Sequence, residues 1–454
     1  MHTWADVELR TADMGDARLS TRLALITADV ARCPSSSIPK ACRTWTRTQA
    51  AYRFFANPSV TPENILAAHL DSCRVRVQAE DVVLCVQDTT EINLTSHEAT
   101  RDLGYLVGNG RRGFAVHSTL ALSTDGTPLG VVDQHNWSRP DAQKGKKAQR
   151  HRRPLAEKES QRWLDALAAS EAAIPAPMRM ITITDREGDI YGLFAHPRRT
   201  GSDLLIRIAH NRALADGRHV VEAIEAAASI GSHLVDVHAR PDRPGRTAEL
   251  SIRTSTVTLS PPRVPSPGSH FEPITVTIIL AREEHVPEGQ TPIRWMLLTT
   301  LPVPLLADAV QCLQWYSHRW MIERFHYTLK SGCKLEDLQL ETAASMQRAL
   351  AVYSIVAWRL LWITHHARRA PEASCERVFL PHEWQALYCA IHNTAKIPVS
   401  TPTMREAIRW LAQLGGFLGR KGDGEPGVKV IWTGLQTLDL GARMYQIMRQ
   451  QQSA

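Results

Sequence analysis

Three acidic residues stand where runs of apolar residues stop. Asp88 lies at the end of DVVLCVQDTT, Asp185 follows the alternating half of MRMITITDREGDI, and Glu323 sits inside YSHRWMIERFHYTLK (316–330). If folding draws them together, they offer the oxygen donors that hard cations take. Two divalent ions roughly 3.5–4 Å apart can activate a water or a 3′-hydroxyl with one ion and steady the leaving oxygen with the other. The chemistry on offer is therefore cleavage and joining of phosphodiesters. Each acid alone has a plainer explanation: Asp before Thr-Thr is a common turn residue, and Asp185 before Arg-Glu-Gly suits a helix N-cap.

The segment around Glu323 also carries bases. At about 100° per residue, Tyr316, Arg319, Glu323 and Lys330 project within about 60° of one another on a helix. Trp315, Met321, Ile322, Phe325 and Leu329 gather about 120° away. The spacing predicts one amphipathic helix, with an apolar stripe on a core and a polar stripe available for ligands. A solvated face with an Arg319–Glu323 pair four residues apart is the bland alternative.

Periodicity gives the elements that must position these groups. Residues 1 to about 67 predict helices, with arginines at 18, 22, 32, 43, 47 and 53 among aromatics. Eight basic and six acidic residues there give a DNA-binding module little support from charge alone, and a solvated bundle accounts for the pattern as well. From residue 81 the period changes, and DVVLCVQDTT reads as an apolar strand. The stretch 81–90, then two strands about the Thr124-Asp125-Gly126 turn, predict a three-strand meander. A helix at LAEKESQRWLDALAAS, a strand before Asp185, a short helix DIYGLFAHP and a strand DLLIRIAH complete the order β-β-β-α-β-α-β. Residues 212–290 alternate Thr, Ile, Val and charge between Pro, Gly and Ser, and predict a β insertion; RWMLLTTLPV returns to a buried strand. The expected division is a helical domain over 1–67, an α/β domain over 68–370 and a helical domain over 371–454.

Composition sets the outer bounds. The 454 residues are 43% hydrophobic and 22% charged, as in a globular chain of two or three domains. The excess of 53 basic over 46 acidic side chains favours polyanionic partners without naming one. Eight cysteines with no C-x-x-C pair point to reduced, structural thiols and a cytoplasmic protein. No basic start followed by an apolar core, and no apolar run near the roughly 18 residues that span a bilayer, argue against secretion and membrane insertion.

The pieces together resemble a known family. DTT at 88–90, TDREGDI at 184–190, and Tyr316-x2-Arg319-x3-Glu323-x6-Lys330 resemble the three acidic motifs and the Y-R-E-K signature of DDE transposases of the insertion-sequence-4 family. AYRFFANP, EKES, RWMLLTT and LGGFLG extend the resemblance over nearly the whole chain. It implies an α/β fold: a ribonuclease-H-like mixed-sheet core with an all-β insertion, flanked by an N-terminal helical domain that binds DNA ends and a C-terminal helical domain that pairs protomers. It implies that Asp88, Asp185 and Glu323 ligate two Mg²⁺ ions, with Mn²⁺ able to substitute. Tyr316, Arg319 and Lys330 would hold phosphates. Trp295, with Trp320 beside it, would stack a flipped-out base, and Arg207 and Arg53 would contact DNA.

The implied activity is cut-and-paste transposition in a bacterial cytoplasm, at the nucleoid. A homodimer would hold two double-stranded terminal inverted repeats and then target DNA, each subunit cleaving the end bound chiefly by the other. The steps would be nicking by water, hairpin formation by the freed 3′-hydroxyl, hairpin hydrolysis and strand transfer. Two other classes suit the same residues: a structure-selective nuclease that cuts without joining, and an inactive transposase-derived repressor. The run QKGKKAQRHRR (143–153) is more basic than the family's loop; it either grips flanking or target DNA or is simply solvated.

Overall fold

The computed structural model describes residues 3–452 apart from 109, 144–152, 238–244, 264–266 and 268–269. Residues 144–152, which hold most of the basic run, lie outside the described residues. The chain begins with five helices: α1 (Trp4–Glu8), α2 (Ala17–Arg32), α3 (Ile38–Cys42), α4 (Trp45–Ala56) and α5 (Pro62–Val77). Side-chain oxygens start the longer ones. Asp16, Thr44 and Thr61 accept from the amides of Arg18, Arg47 and Asn64, which would otherwise lack partners.

The strands follow: β1 (Val82–Asn93), β2 (Gly104–Tyr105), β3 (Arg112–Leu122) and β4 (Pro128–Trp137). Then helix and strand alternate through α6 (Gln161–Ala173), β5 (Arg179–Thr184), α7 (Tyr191–Ala195) and β6 (Ser202–Arg207). Next come α8 (Val220–Ala226), β7 (Ser229–Val237), β8 (Arg246–Leu259), β9 (Ile274–Glu283) and β10 (Arg294–Thr299). All these strands share one mixed sheet. Its path runs β2-β3-β1-β5-β6-β10-β9-β8-β7, with β4 also paired to β3. Strand β1 is antiparallel to β3 and parallel to β5, and β5 is parallel to β6. From β6 onward every pairing is antiparallel.

The 212–290 segment departs from the all-β expectation in two respects. It opens with α8, where Val220, Ala223 and Ile224 are buried at helical spacing. Its strands also continue the central sheet through β10, with Ile252, Val257 and Leu280 of β8 and β9 buried and no residue of β7 buried.

Alternation along the central strands sorts side chains onto two faces. Leu84, Val86, Ile181, Ile183, Leu205 and Leu297 face one core, which they share with α9 (Leu306–Ser317), α10 (Trp320–Tyr327) and α11 (Ala343–Arg369). Val83, Cys85, Met180, Leu204, Ile206 and Leu298 face the other, shared with α6, α7 and α8. Fully burying one such side chain contributes about 1.5–3 kcal/mol. Helix α11 runs under the first face with Leu350, Val352, Tyr353, Ile355 and Val356 all at 0% exposure.

Three more helices end the chain: α12 (Pro381–His392), α13 (Met404–Leu414) and α14 (Val428–Gln452). They enclose a third core with the end of α11. Helix α14 also meets the N-terminal helices, where Asp439 accepts from Arg43 and Gln436 bonds Ser35. All eight cysteines are unpaired thiols. Among the described residues, no helix is long and apolar enough to cross a membrane.

Candidate active site

The two strand-borne acids are set by register. Counting in twos from Leu84 and Val86 puts Asp88 on the α10 face of β1, and counting from Ile181 and Ile183 puts Asp185 on the same face just past β5. Val86 pairs with Ile183, so two residues further on Asp185 stands beside Asp88, on neighbouring strands about 4.8 Å apart. A local amide fixes each carboxylate: Thr89 N donates to Asp88 Oδ1 at 2.8 Å, and Glu187 N donates to Asp185 Oδ1 at 2.8 Å. Asp185 is thus also the N-cap of a short 3₁₀ turn. Its structural role and its place beside Asp88 coexist.

Helix α10 packs on β1 and brings Glu323 to this face. Burial pushes the Asp88 carboxyl up to about 7, the negative charges of Asp185 and Glu323 add to the shift, and Arg319 partly offsets it. Glu323 is bonded to the Arg319 guanidinium. Among the described residues no three His, Cys, Asp or Glu side chains stand ready to share one metal. Register brings Asp88 and Asp185 beside each other, and Glu323 is a third carboxylate bonded to Arg319 on its own helix. The pair suits a hard divalent cation: it offers only oxygen donors, and burial, with the charge of Asp185 added to it, raises the cost of leaving Asp88 ionised without a positive partner.

The wall opposite is not the single helix that the spacing predicts. Helix α9 stops at Ser317, Arg319 is the N-cap of α10, and Thr328–Gly332 forms a wide π turn. The first break has local causes. Ser317 Oγ donates to Gln314 O at 2.6 Å, and the amides of His318 and Arg319 turn to carbonyls three residues back, at 3.1 and 3.0 Å. The β3–β4 hairpin holds it from outside, because His318 Nε2 meets Thr124 O at 3.2 Å and its ring lies over Gly126.

These breaks redistribute the polar stripe. Tyr316 and Arg319 stay near the acids. Burial raises the Tyr316 phenol, Arg319 and Arg207 draw it back, and Asp185 adds to the rise. Trp295, half-buried on β10, meets the Tyr316 ring edge-on at 5.6 Å. Arg207 pairs across to Leu297, so it shares this face with Trp295. Trp320 is 53% exposed, beside Arg319.

Lys330 departs from the wheel. The π turn carries it to Glu91 O at 2.8 Å and to Glu336 at 3.4 Å, three residues along β1 from Asp88. Arg53 lies exposed on α4; among the described residues no hydrogen bond or ion pair ties it to this cluster.

The sequence reading passed over the far side of β1. Thr89 and Glu91 point away from Asp88 and toward α6, where Arg162 Nε donates to Thr89 Oγ1 at 2.8 Å and Arg139 joins Glu91 and Glu159. The EKES stretch holds Glu159, but nothing in its spacing shows that Arg162 reaches across to β1. The available signal was the alternation of β1 itself, which places Thr89 and Glu91 on the α6 face.

Comparison with known families covers three stretches of the chain. Residues 1–60 match a model described as transposase DNA-binding, 158–358 a transposase DDE domain, and 355–450 a transposase Tn5 dimerisation domain. Among solved structures, a cryo-EM piggyBac transposase synaptic complex with hairpin DNA is similar at 8% identity, over 81% of this chain and 72% of that chain, with a TM-score of 0.36. A likeness that slight carries neither fold nor function across.

Proposed function

We propose that this chain, which belongs to the Tn5-type DDE transposases, cuts and joins DNA at the Asp88–Asp185 pair, with Glu323 as the third acid. It is an enzyme, a DNA transposase, and its DDE domain implies dependence on a divalent metal. The observation that supports the site assignment is the register of β1 and β5, which, carried two residues past Val86–Ile183, puts two amide-pinned carboxylates side by side where the parallel pairing stops and β1 continues along β3. The sheet path β3-β1-β5-β6, with its directions, supports a ribonuclease-H-like core.

A pair of divalent ions bound there, Mg²⁺ with Mn²⁺ as substitute, would supply Lewis acids at the attacked phosphodiester and lower the pKa of the attacking water. The protein's own part is to bind and orient. Arg319 is a bidentate phosphate donor, and Lys330, along the same strand, a point charge for the next phosphate. As a phosphate engages Arg319, Glu323 is released toward Asp88 and Asp185. Tyr316 offers a buried hydroxyl among Arg207, Arg319 and Asp185. Trp295 presents a half-buried ring next to it for a displaced base.

In the first step water oxygen bonds to phosphorus as the P–O3′ bond breaks; a proton leaves the water and another completes the 3′-hydroxyl. That hydroxyl then loses its proton, its oxygen attacks the phosphorus of the opposite strand, and the P–O3′ bond there breaks, the flanking 3′-oxygen leaving with a proton as the hairpin closes. Water attacks the hairpin phosphorus and the P–O3′ bond just formed breaks to restore the 3′-hydroxyl, which finally attacks a target phosphorus as the target's P–O3′ bond breaks and its 3′-oxygen takes up a proton.

Two subunits would pair through the C-terminal helices. Leu440, Met444, Ile447 and Met448 of α14 are each more than half exposed, at the spacing of one helical stripe. The N-terminal helices, with Arg53 exposed, would bind the terminal repeats in a bacterial host. Excision by the purified protein on its own element ends tests the reading: wild type yields free element and Asp185→Ala yields none. Equal product from both would refute the site. Precleaved ends separate a transposase, which joins them to target, from a nuclease, which does not.

A further inference from the structure

We infer that Arg162 is a positioning residue that sets both strand-borne carboxylates from the opposite face of the sheet. The inference rests on the Asp88–Asp185 reading above. Arg162 is near the start of α6, on the side of β1 away from the acids, with its side chain only 11% exposed. Its guanidinium makes three directed bonds: Nε to Thr89 Oγ1 at 2.8 Å, Nη2 to Glu187 Oε2 at 2.9 Å, and Nη1 to Glu159 O at 2.7 Å. The Trp163 and Trp137 rings lie 5.3 and 5.9 Å from its Cζ.

Thr89 and Glu187 are the two residues whose backbone amides hold the acids. Thr89 N donates to Asp88 Oδ1, and Glu187 N donates to Asp185 Oδ1, both at 2.8 Å. One planar cation therefore grips, by their side chains, the two residues whose amides aim the two carboxylates. The spacing between the carboxylates is then fixed by a rigid fork as well as by strand pairing. Thr89 Oγ1 is further tied to His117 Nδ1 on β3 at 2.9 Å, so the grip extends to a third strand. A lysine could reach one of these acceptors but cannot present the fork to three.

Partners that orient metal ligands typically matter by about 10- to 100-fold in metal affinity or activity. The test uses full-length protein without DNA and reads Mn²⁺ binding by the loss of the free-ion electron paramagnetic resonance signal. Arg162→Gln should weaken Mn²⁺ binding about 10- to 100-fold. With DNA ends, cleavage kcat should drop in proportion while KM for DNA stays within about threefold. Arg162→Lys should recover part of the loss. The surface control Arg218→Gln should stay close to wild type.

Unchanged Mn²⁺ affinity in folded Arg162→Gln overturns the inference. If Arg162→Gln does not fold, Thr89→Val decides, since it removes one acceptor of the fork and leaves the Thr89 amide in place; unchanged Mn²⁺ affinity there overturns it equally. Wild type that binds no more Mn²⁺ than Asp185→Ala would instead sink the site assignment, which keeps the two failures apart.

Discussion

The two walls of the site are built in opposite ways. The strand wall comes from uninterrupted β1 and β5, whose register sets Asp88 beside Asp185, with the amides of Thr89 and Glu187 pinning them. The helix wall is assembled from interruptions: the end of α9, the α9–α10 break and the π turn place Tyr316, Arg319 and Lys330 separately. Charge differs in the same sense. Burial and the charge of Asp185 hold the Asp88 carboxyl up, whereas Glu323 is paired with Arg319. A rigid, unsatisfied wall thus faces an adjustable, satisfied one, so cation binding should answer to the first and DNA engagement to the second.

The largest expected effect breaks the strand wall. Asp185→Ala removes a carboxylate worth several kcal/mol to the reacting phosphate, and cleavage of element ends should drop by about 10³-fold or more. Residual cleavage within tenfold of wild type would mean that the strand wall is not the reacting one. Next comes the helix wall. Arg319→Gln loses a charge-assisted bond worth about 1.5–3 kcal/mol, so cleavage should decrease about 10- to 100-fold. Mn²⁺ affinity of the DNA-free protein should not weaken, because Glu323 is freed. Affinity falling in step with cleavage would erase the distinction between the walls.

A third prediction concerns pH. Asp88 is held near 7 against its ordinary 3.8, so the folded chain holds this proton more tightly than the unfolded chain. The associated stability is present below about pH 4 and is lost as pH rises through about 7. In chelator, the unfolding free energy from denaturant titration should therefore decline across this window by roughly 2 kcal/mol, after allowing for water at a half-buried carboxyl. Asp88→Asn should flatten the decline, and a divalent cation should oppose it in wild type. The smallest effect concerns the α9–α10 break. Gly126 has φ +84°, and a Cβ there would come within 2.6 Å of the His318 ring. Gly126→Ala should cost about 1–3 kcal/mol in thermal unfolding and weaken DNA cleavage more than Mn²⁺ binding.

What could be read in the sequence followed the same division. Asp88 stands out as the acid closing the apolar run that begins at Val82, and Asp185 as the acid after the alternation of 179–184; the face of a strand side chain then follows from counting. Glu323 was visible from the wheel, but Lys330 was misplaced because a π turn is invisible to a 100° projection. Arg162 left no trace, since its partners Thr89 and Glu187 lie 73 and 25 residues away and only the folded sheet brings them together. The 212–290 segment showed its strand composition. Its pairing into the main sheet through β10, however, is a long-range choice, and the helical spacing of Val220, Ala223 and Ile224 was too short to stand out.

The central claim is that Asp88 and Asp185 jointly seat a divalent cation, and Mn²⁺ titration of the DNA-free protein at pH 7.5 tests it most directly. The account predicts saturable binding in wild type that weakens by about 100-fold or more in Asp88→Asn and in Asp185→Asn, each folded as judged by circular dichroism. Equal Mn²⁺ affinity in all three proteins would contradict it.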